Sequence, residues 1–175
     1  MKRQDKTGYV PQQATHVEAS LENFTFQVDW DPLPKSLSNW TGFLLFHVTE
    51  LAGQMYAQAL ASIRLQPFQV GVLQLLASEG PMVQARLGEF LSTDKATMVG
   101  LLNDLETQGL VERRPNPHDK RSYHVHLLDA GRARLAEAEK VNAFANKMFF
   151  ADLTPDEQTT LHQLLERLAT RRRFE

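Results

Sequence analysis

The run Asp94-Lys95-Ala96-Thr97-Met98-Val99-Gly100-Leu101-Leu102-Asn103-Asp104-Leu105-Glu106 decides the fold, together with the segment from Leu110 to Leu127 behind it. Met98, Leu101, Leu102 and Leu105 stand at i, i+3, i+4 and i+7, which places them in one stripe along a helix. Thr93, Ala96, Thr97, Gly100 and Asn103 fall on the opposite face, and all are small or polar. Gly109 suits the position just past the helix end, where the backbone turns left-handed. From Leu110 to Leu127 the chain reads as a strand, a turn rich in proline and charge (Pro115 to Arg121), and a second strand of alternating character.

A helix followed by a basic β-ribbon is the layout of a winged helix-turn-helix. Small residues let a helix lie deep in a groove, and short polar groups there can meet base edges. The motifs in this stretch are specific. Leu105-Glu106, Gly109-Leu110-Val111 followed by Arg113, Asp119-Lys120-Arg121, and Leu127-Leu128-Asp129-Ala130-Gly131-Arg132 occur in that order. The sequence therefore resembles the MarR (multiple-antibiotic-resistance regulator) family, whose pattern runs L-E-x-x-G-L-[IV]-x-R, then D-x-R, then L-T-x-x-G-R. The likeness spans residues 38 to 172 in layout and is sharpest from Ala85 to Gly131. Leu128 stands where the family has threonine. Asp129 follows it and is expected to cap the next helix equally well.

The resemblance implies an all-α winged helix-turn-helix protein with a small β-wing, dimerising through its N- and C-terminal helices. It implies that Arg121, at the wing tip, enters a minor groove, where the potential is most negative. Asp119 would hold the wing cations in place, with Arg113 or Arg121 as its partner, and Lys120 lies between them. The expected DNA-contacting set is Thr93, Lys95, Ala96, Thr97, Gly100, Asn103, Arg113, Asp119, Lys120 and Arg121. Asn103 could bond adenine bidentately, and Lys95 could reach guanine or phosphate. The competing reading of both elements is an ordinary solvated helix face and hairpin tip. Relatives also bind small phenolic or lipophilic effectors between the DNA-binding lobe and the dimer helices. By region, Trp40, His47, Tyr56 and Arg64 are the candidates here, against a competing role in core or dimer packing.

Composition bounds the alternatives. The 175 residues suit one domain with an appendage, and a hydrophobic content of 42% can furnish a core or a large dimer interface. The absence of cysteine excludes disulfides and thiol switches. No run of eighteen apolar residues exists, and no apolar stretch follows Met1-Lys2-Arg3 as a signal peptide would require, so a cytoplasmic location is expected. A net charge of −2 does not itself announce nucleic-acid binding. Between Glu112 and Arg121, however, Arg113, Arg114, Lys120 and Arg121 outnumber Glu112 and Asp119, and a local patch of this kind can bind phosphate. His118, His124 and His126 invite a metal reading. Yet Val125 and Leu127 claim the inward face of the strand and no glutamate or cysteine stands at ligand spacing, so no metal or cofactor is expected. There is no Gly-rich phosphate loop, G-x-S-x-G elbow or H-E-x-x-H pair, so no enzyme activity is expected.

The rest of the chain fits this frame. Residues 1–36 form a separate arm of unknown role, with Pro11, Pro32 and Pro34. Its Phe24-Thr25-Phe26-Gln27-Val28-Asp29-Trp30 segment alternates, as a short strand or a segment packed on a partner would. Residues 37–175 form the domain proper. The spacing predicts a helix from Leu37 to Arg64 with Trp40, Leu44, Phe46, His47, Leu51, Met55, Leu60 and Ile63 on buried sides. A second helix opens at Pro67, with Val70, Leu73 and Leu76 as its stripe, and ends before Gly80-Pro81. A third runs from Val83 to Leu91. Later helices start at Asp129 and at Thr154-Pro155-Asp156-Glu157, a capping box. Phe144, Met148, Phe149, Phe150, Leu161, Leu164, Leu165 and Leu168 supply more apolar surface than a monomer could bury, which points to an obligate homodimer. Its partners would be double-stranded DNA and a small, mostly apolar or phenolic effector. The expected function is transcriptional repression at a pseudo-palindromic operator, relieved by that effector. The alternative is a dimeric interaction protein on the same fold without sequence-specific DNA binding.

Overall fold

A computed structural model of the chain describes residues 21, 24–27, 33–116 and 119–170; at 119–121 the description covers the backbone alone. Helix α1 (Lys35–Ser38) is one turn long, and α2 (Thr41–Ala61) begins after Trp40, whose backbone is extended. The single helix expected from Leu37 to Arg64 is therefore interrupted at Asn39–Trp40. It also ends at Ala61, because Arg64 takes a left-handed φ of 56° and Leu65 N–H folds back to Leu60 O at 3.1 Å. That closure satisfies a terminal carbonyl that would otherwise be orphaned. Arg134 satisfies another, donating to Ile63 O at 2.7 Å.

Helix α3 (Pro67–Glu79) starts with Pro67 at its first position and a Gln66/Gln69 capping box. Strand β1 (Met82–Val83), helices α4 (Gln84–Phe90) and α5 (Lys95–Thr107), and strands β2 (Val111–Asn116) and β3 (Asp119–Leu127) follow. Helices α6 (Asp129–Phe149) and α7 (Pro155–Ala169) complete the order. The sheet is antiparallel in the order β1-β3-β2, with Met82 opposite Val125 and Arg113 opposite Val125 on the other side. Two residues carry no periodicity, so β1 was not expected from the sequence. It closes the inner edge of the wing onto the start of α4.

The core forms where the expected stripes meet. Leu73, Leu76, Leu87, Met98, Leu102, Leu105, Val111 and Val125 are all essentially inaccessible to solvent. Each such side chain contributes about 1.5–3 kcal/mol of burial. Helix α2 packs along α6 through Met55, Ala59 and Leu60 on one side and Leu135, Ala138, Val141 and Ala145 on the other. Gly131, on the first turn of α6, lies so close to the wing root that a Cβ there would overlap Leu110 O and stand 2.6 Å from Leu127 Cδ1. Leu128 N–H bonds Leu110 O at 3.0 Å across the same contact. Asp129 does not cap α6: the cap position belongs to Leu128, which makes no side-chain cap bond, and Asp129 sits one residue inside. There its carboxylate lies at the positive end of the helix dipole. Thr154 and Glu157 form the expected capping box of α7, with Glu157 Oε2 accepting from Thr154 N–H at 2.8 Å. These bonds hold the Glu157 carboxyl below its ordinary range.

Two apolar zones differ from expectation. Trp40 is 69% exposed and Phe46 62%, and Leu44 is exposed too, so the first half of α2 does not bury the face its spacing suggested. Nor does α7 bury any residue; Leu164, Leu165 and Leu168 all lie open. The start of α2 and the apolar side of α7 thus leave large side chains open to solvent among the described residues. The described part of the arm, by contrast, packs on its own chain. Leu21 joins the core, Phe26 stacks on Phe144 at 6.0 Å, and the Gln58 amide pairs with both backbone groups of Gln27 at 2.8 and 2.9 Å. Val28, Asp29 and Trp30 lie outside the described residues.

Candidate nucleic-acid interface

Helix α5 presents the face expected of it. Its stripe is buried, while Lys95, Ala96, Thr97, Gly100 and Asn103 are exposed and Thr93 is half-buried. Asp94 starts the helix, its Oδ1 accepting from Ala96 N–H at 2.9 Å and Thr97 N–H at 3.0 Å. The Thr97 hydroxyl donates to Asp94 Oδ2 at 2.6 Å. These hydrogen bonds, the Thr97 side chain's first, hold the Asp94 carboxyl below its usual range. Thr97 and Thr93, whose hydroxyl bonds Leu91 O at 3.0 Å, thus spend their donors on the turn before the helix. Gly100 differs from the other candidates. A Cβ there would meet nothing within 4 Å, so no contact among the described residues requires glycine. Glycine in a helix interior costs about 0.5–1 kcal/mol relative to alanine. A face kept bare at that cost suits close approach by another molecule.

The wing is tied to α5 by a network that begins at Glu106. Its Oε1 accepts from Arg113 N–H at 3.1 Å, and its carboxylate pairs with the Arg113 guanidinium. Arg113 Nη2 reaches on to Asn103 Oδ1 at 2.9 Å. Arg113 thus points at the helix, and its described partners are Glu106 and Asn103. Sequence reasoning missed Glu106 as a site residue, although it stands in the Leu105-Glu106 motif. Its spacing from Arg113, seven residues across the Gly109 turn (φ 68°), was the available signal. Asp119, Lys120 and Arg121 lie on β3, with Asp119 opposite Asn116, and their side chains fall outside the described set. His118 lies outside it altogether.

Between α4, the start of α5 and the wing lies a cleft of about 1070 Å³, lined by Thr93, Lys95, Val99, Arg113 and Tyr123 among others. On the other face of the ribbon, Arg114 pairs with Glu112. His124 and His126 stand there as well, 6.5 Å apart, with Val125 buried between them in sequence. Burial, then the nearby Arg114, pushes the His126 pKa down. Among the described residues no three His, Asp or Glu side chains converge as a metal site would need.

The four effector candidates do not share one cavity. Tyr56 lines a groove of about 330 Å³ between α2, α3 and α6, with Gly53, Leu60, Pro67, Asn142 and Asn146. Its hydroxyl donates to Asn146 Oδ1, and burial raises its pKa. Arg64 lines a separate hollow beside Gln69 and Asp104. Trp40 caps α2 at its far end, about 24 Å from Tyr56 at the rise of an α-helix, and half-buried His47 lies between them.

Comparison with known proteins places this geometry. A MarR family model matches residues 64–122, from just past α2 into β3 of the wing. A protein of Thauera aromatica, named as a transcriptional regulatory protein for its hcr operon, is 30% identical over 134 residues, which cover 76% of this chain and 81% of that one. A crystal structure from Pseudomonas aeruginosa, described as a probable transcriptional regulator, superposes with a TM-score of 0.69 at 33% identity, covering 75% of this chain and 98% of the other. A cysteine-to-serine mutant of E. coli MarR complexed with operator DNA gives a TM-score of 0.66 at 28% identity, over 73% and 91% of the two chains.

Proposed function

This chain belongs to the MarR family of DNA-binding transcription regulators, and from that premise we propose that it is a homodimeric repressor whose operator binding is released by a small phenolic or acidic, otherwise apolar effector. The observation that carries the reading is the exposed face of α5, with Ala96, Gly100 and Asn103 open to solvent among the described residues and the wing arginine Arg113 fastened to Asn103. The relative solved with operator DNA shares this fold, which supports placing α5 in a major groove and the ribbon along the adjacent minor groove. Two recognition helices then sit about 34–36 Å apart on a pseudo-palindrome. A dimer seated there obstructs other proteins at the same DNA.

The dimer reading rests on the uncovered faces of α2 and α7. Trp40, Leu44, Phe46, Leu164, Leu165 and Leu168 form an apolar surface that a second copy would remove from water. The effector reading rests on the Tyr56 groove. It joins a phenol and two amides to apolar walls, and it lies where α2 and α6 meet α3 of the DNA-binding lobe. An effector releases DNA only by binding better to the dimer spacing that does not fit the operator. Such a protein works where the chromosome is, in the cytoplasm.

Mobility-shift titration on fragments from around its own gene tests the reading. Wild type shifts a specific fragment, and Leu164→Glu with Leu168→Glu gives a monomer that shifts none. Arg121→Ala weakens binding to most fragments by a similar factor and lowers the slope of log K against log salt by about one unit. Asp119→Ala does the same more mildly. A dimer that shifts no fragment is instead the interaction protein on the same fold.

A further inference from the structure

We propose that Asn103 reads a keto base, guanine or thymine, because Arg113 holds its amide in one orientation. The inference rests on α5 lying in a major groove. A guanidinium only donates hydrogen bonds, so the edge of the amide facing it must be the oxygen. Arg113 Nη2 lies 2.9 Å from Asn103 Oδ1, and Glu106 fixes Arg113 from the other side through its carboxylate and the 3.1 Å bond to Arg113 N–H. The Asn103 Nδ2 amino group is thereby turned away from the wing. Asn103 is exposed, on the same face as Ala96 and Gly100, whose small size lets the DNA come close enough for so short a side chain to reach it.

This orientation reverses the pairing expected from the residue type alone. Asparagine recognises adenine by accepting from N6 and donating to N7 with one outward edge. With Arg113 engaging the oxygen on the wing side, the outward edge of Asn103 leads with its amino group. Its N–H groups suit guanine O6 and N7 or thymine O4. Adenine offers them N7 alone, beside an amino group that repels a second N–H, and cytosine offers only its amino group. Arg113 is therefore a positioning residue: it sets which base Asn103 selects without touching that base.

Selection from a randomised duplex pool tests this, followed by titration of the enriched duplex with each base in turn at every position. For wild type, one position per half-site favours guanine or thymine by roughly tenfold, in the range of a single good base contact. Asn103→Asp keeps an acceptor for Arg113 but presents only acceptors outward, so it moves that one position to cytosine or adenine and leaves the others alone. Arg113→Met frees the amide to rotate and lets adenine in at the same position. Melting curves establish that each variant is folded, and Asn103→Asp, which preserves the link to the wing, decides the matter should Arg113→Met unfold. A wild-type pool that enriches while Asn103→Asp keeps the same base at every position overturns this inference and leaves DNA binding standing. So does an adenine preference at the position that Asn103→Asp changes. A pool with no enrichment removes the DNA-binding reading and this inference with it.

Discussion

Adding one methyl group should have opposite effects at two glycines of this chain. At Gly131 a Cβ would overlap Leu110 O, stand 2.6 Å from Leu127 Cδ1 and come within 3.1 Å of Leu110 C. Leu127 could rotate away, but the Leu110 carbonyl is backbone and is held by Leu128 N–H at 3.0 Å. Relief requires α6 to lift off the wing root. Gly131→Ala gains about 1 kcal/mol of helix propensity. It loses about 1–3 kcal/mol to overpacking and about 1 kcal/mol for the strained hydrogen bond. A net loss of about 2 kcal/mol lowers the melting temperature by about 4–8 °C for a domain of this size. At Gly100 the Cβ meets nothing within 4 Å, so Gly100→Ala should raise stability by about 0.5–1 kcal/mol while weakening operator binding. Thermal melts followed by circular dichroism, at one protein concentration for all three proteins, read both effects. Gly131→Ala melting at or above the wild-type temperature would refute the packing account. Gly100→Ala binding DNA as tightly as wild type would refute the close approach at α5.

The hydrogen bonds at the start of α5 hold the Asp94 carboxyl below its usual range, so the stability it contributes is present above the unfolded value and lost as the pH falls through the folded one. As the pH falls below the ordinary carboxylate range, wild type should lose melting temperature more steeply than Asp94→Asn, and parallel curves would count against the cap. Burial raises the Tyr56 phenol, so its contribution is intact below the unfolded value near 10 and disappears as the pH rises through the folded one. Tyr56→Phe should abolish a tyrosine absorbance titration above pH 10 and weaken release of DNA by the effector; unchanged release would exclude this groove as the effector site. Deleting residues 1–30 should leave a folded, DNA-binding dimer that is about 2–4 kcal/mol less stable, because Leu21 and Phe26 leave apolar surroundings. Denaturant unfolding measures the loss, and an unchanged midpoint would show that these contacts contribute nothing.

What could be read without coordinates was local. The α5 stripe of Met98, Leu101, Leu102 and Leu105 is buried as its spacing required, because helical period is a property of the backbone. The Thr154-Pro155-x-Glu157 start of α7 and the Pro67 start of α3 were legible for the same reason: a cap needs only residues three apart. Tertiary structure alone decided what depends on distant segments meeting. Strand β1 is two residues that become a strand only because β3 lies beside them. Asp129 fell inside α6, with Leu128 at the cap position and its N–H bonded to Leu110 O across the wing root, a contact that no local spacing announces. The apolar rows of α2 and α7 showed a buried-type face in sequence, yet periodicity cannot say whether the same chain or another copy covers it. The orientation of Asn103 was the least legible of all. A residue type lists which groups can donate and accept, and only the arrival of Arg113 from the far side of the Gly109 turn selects which of them faces outward.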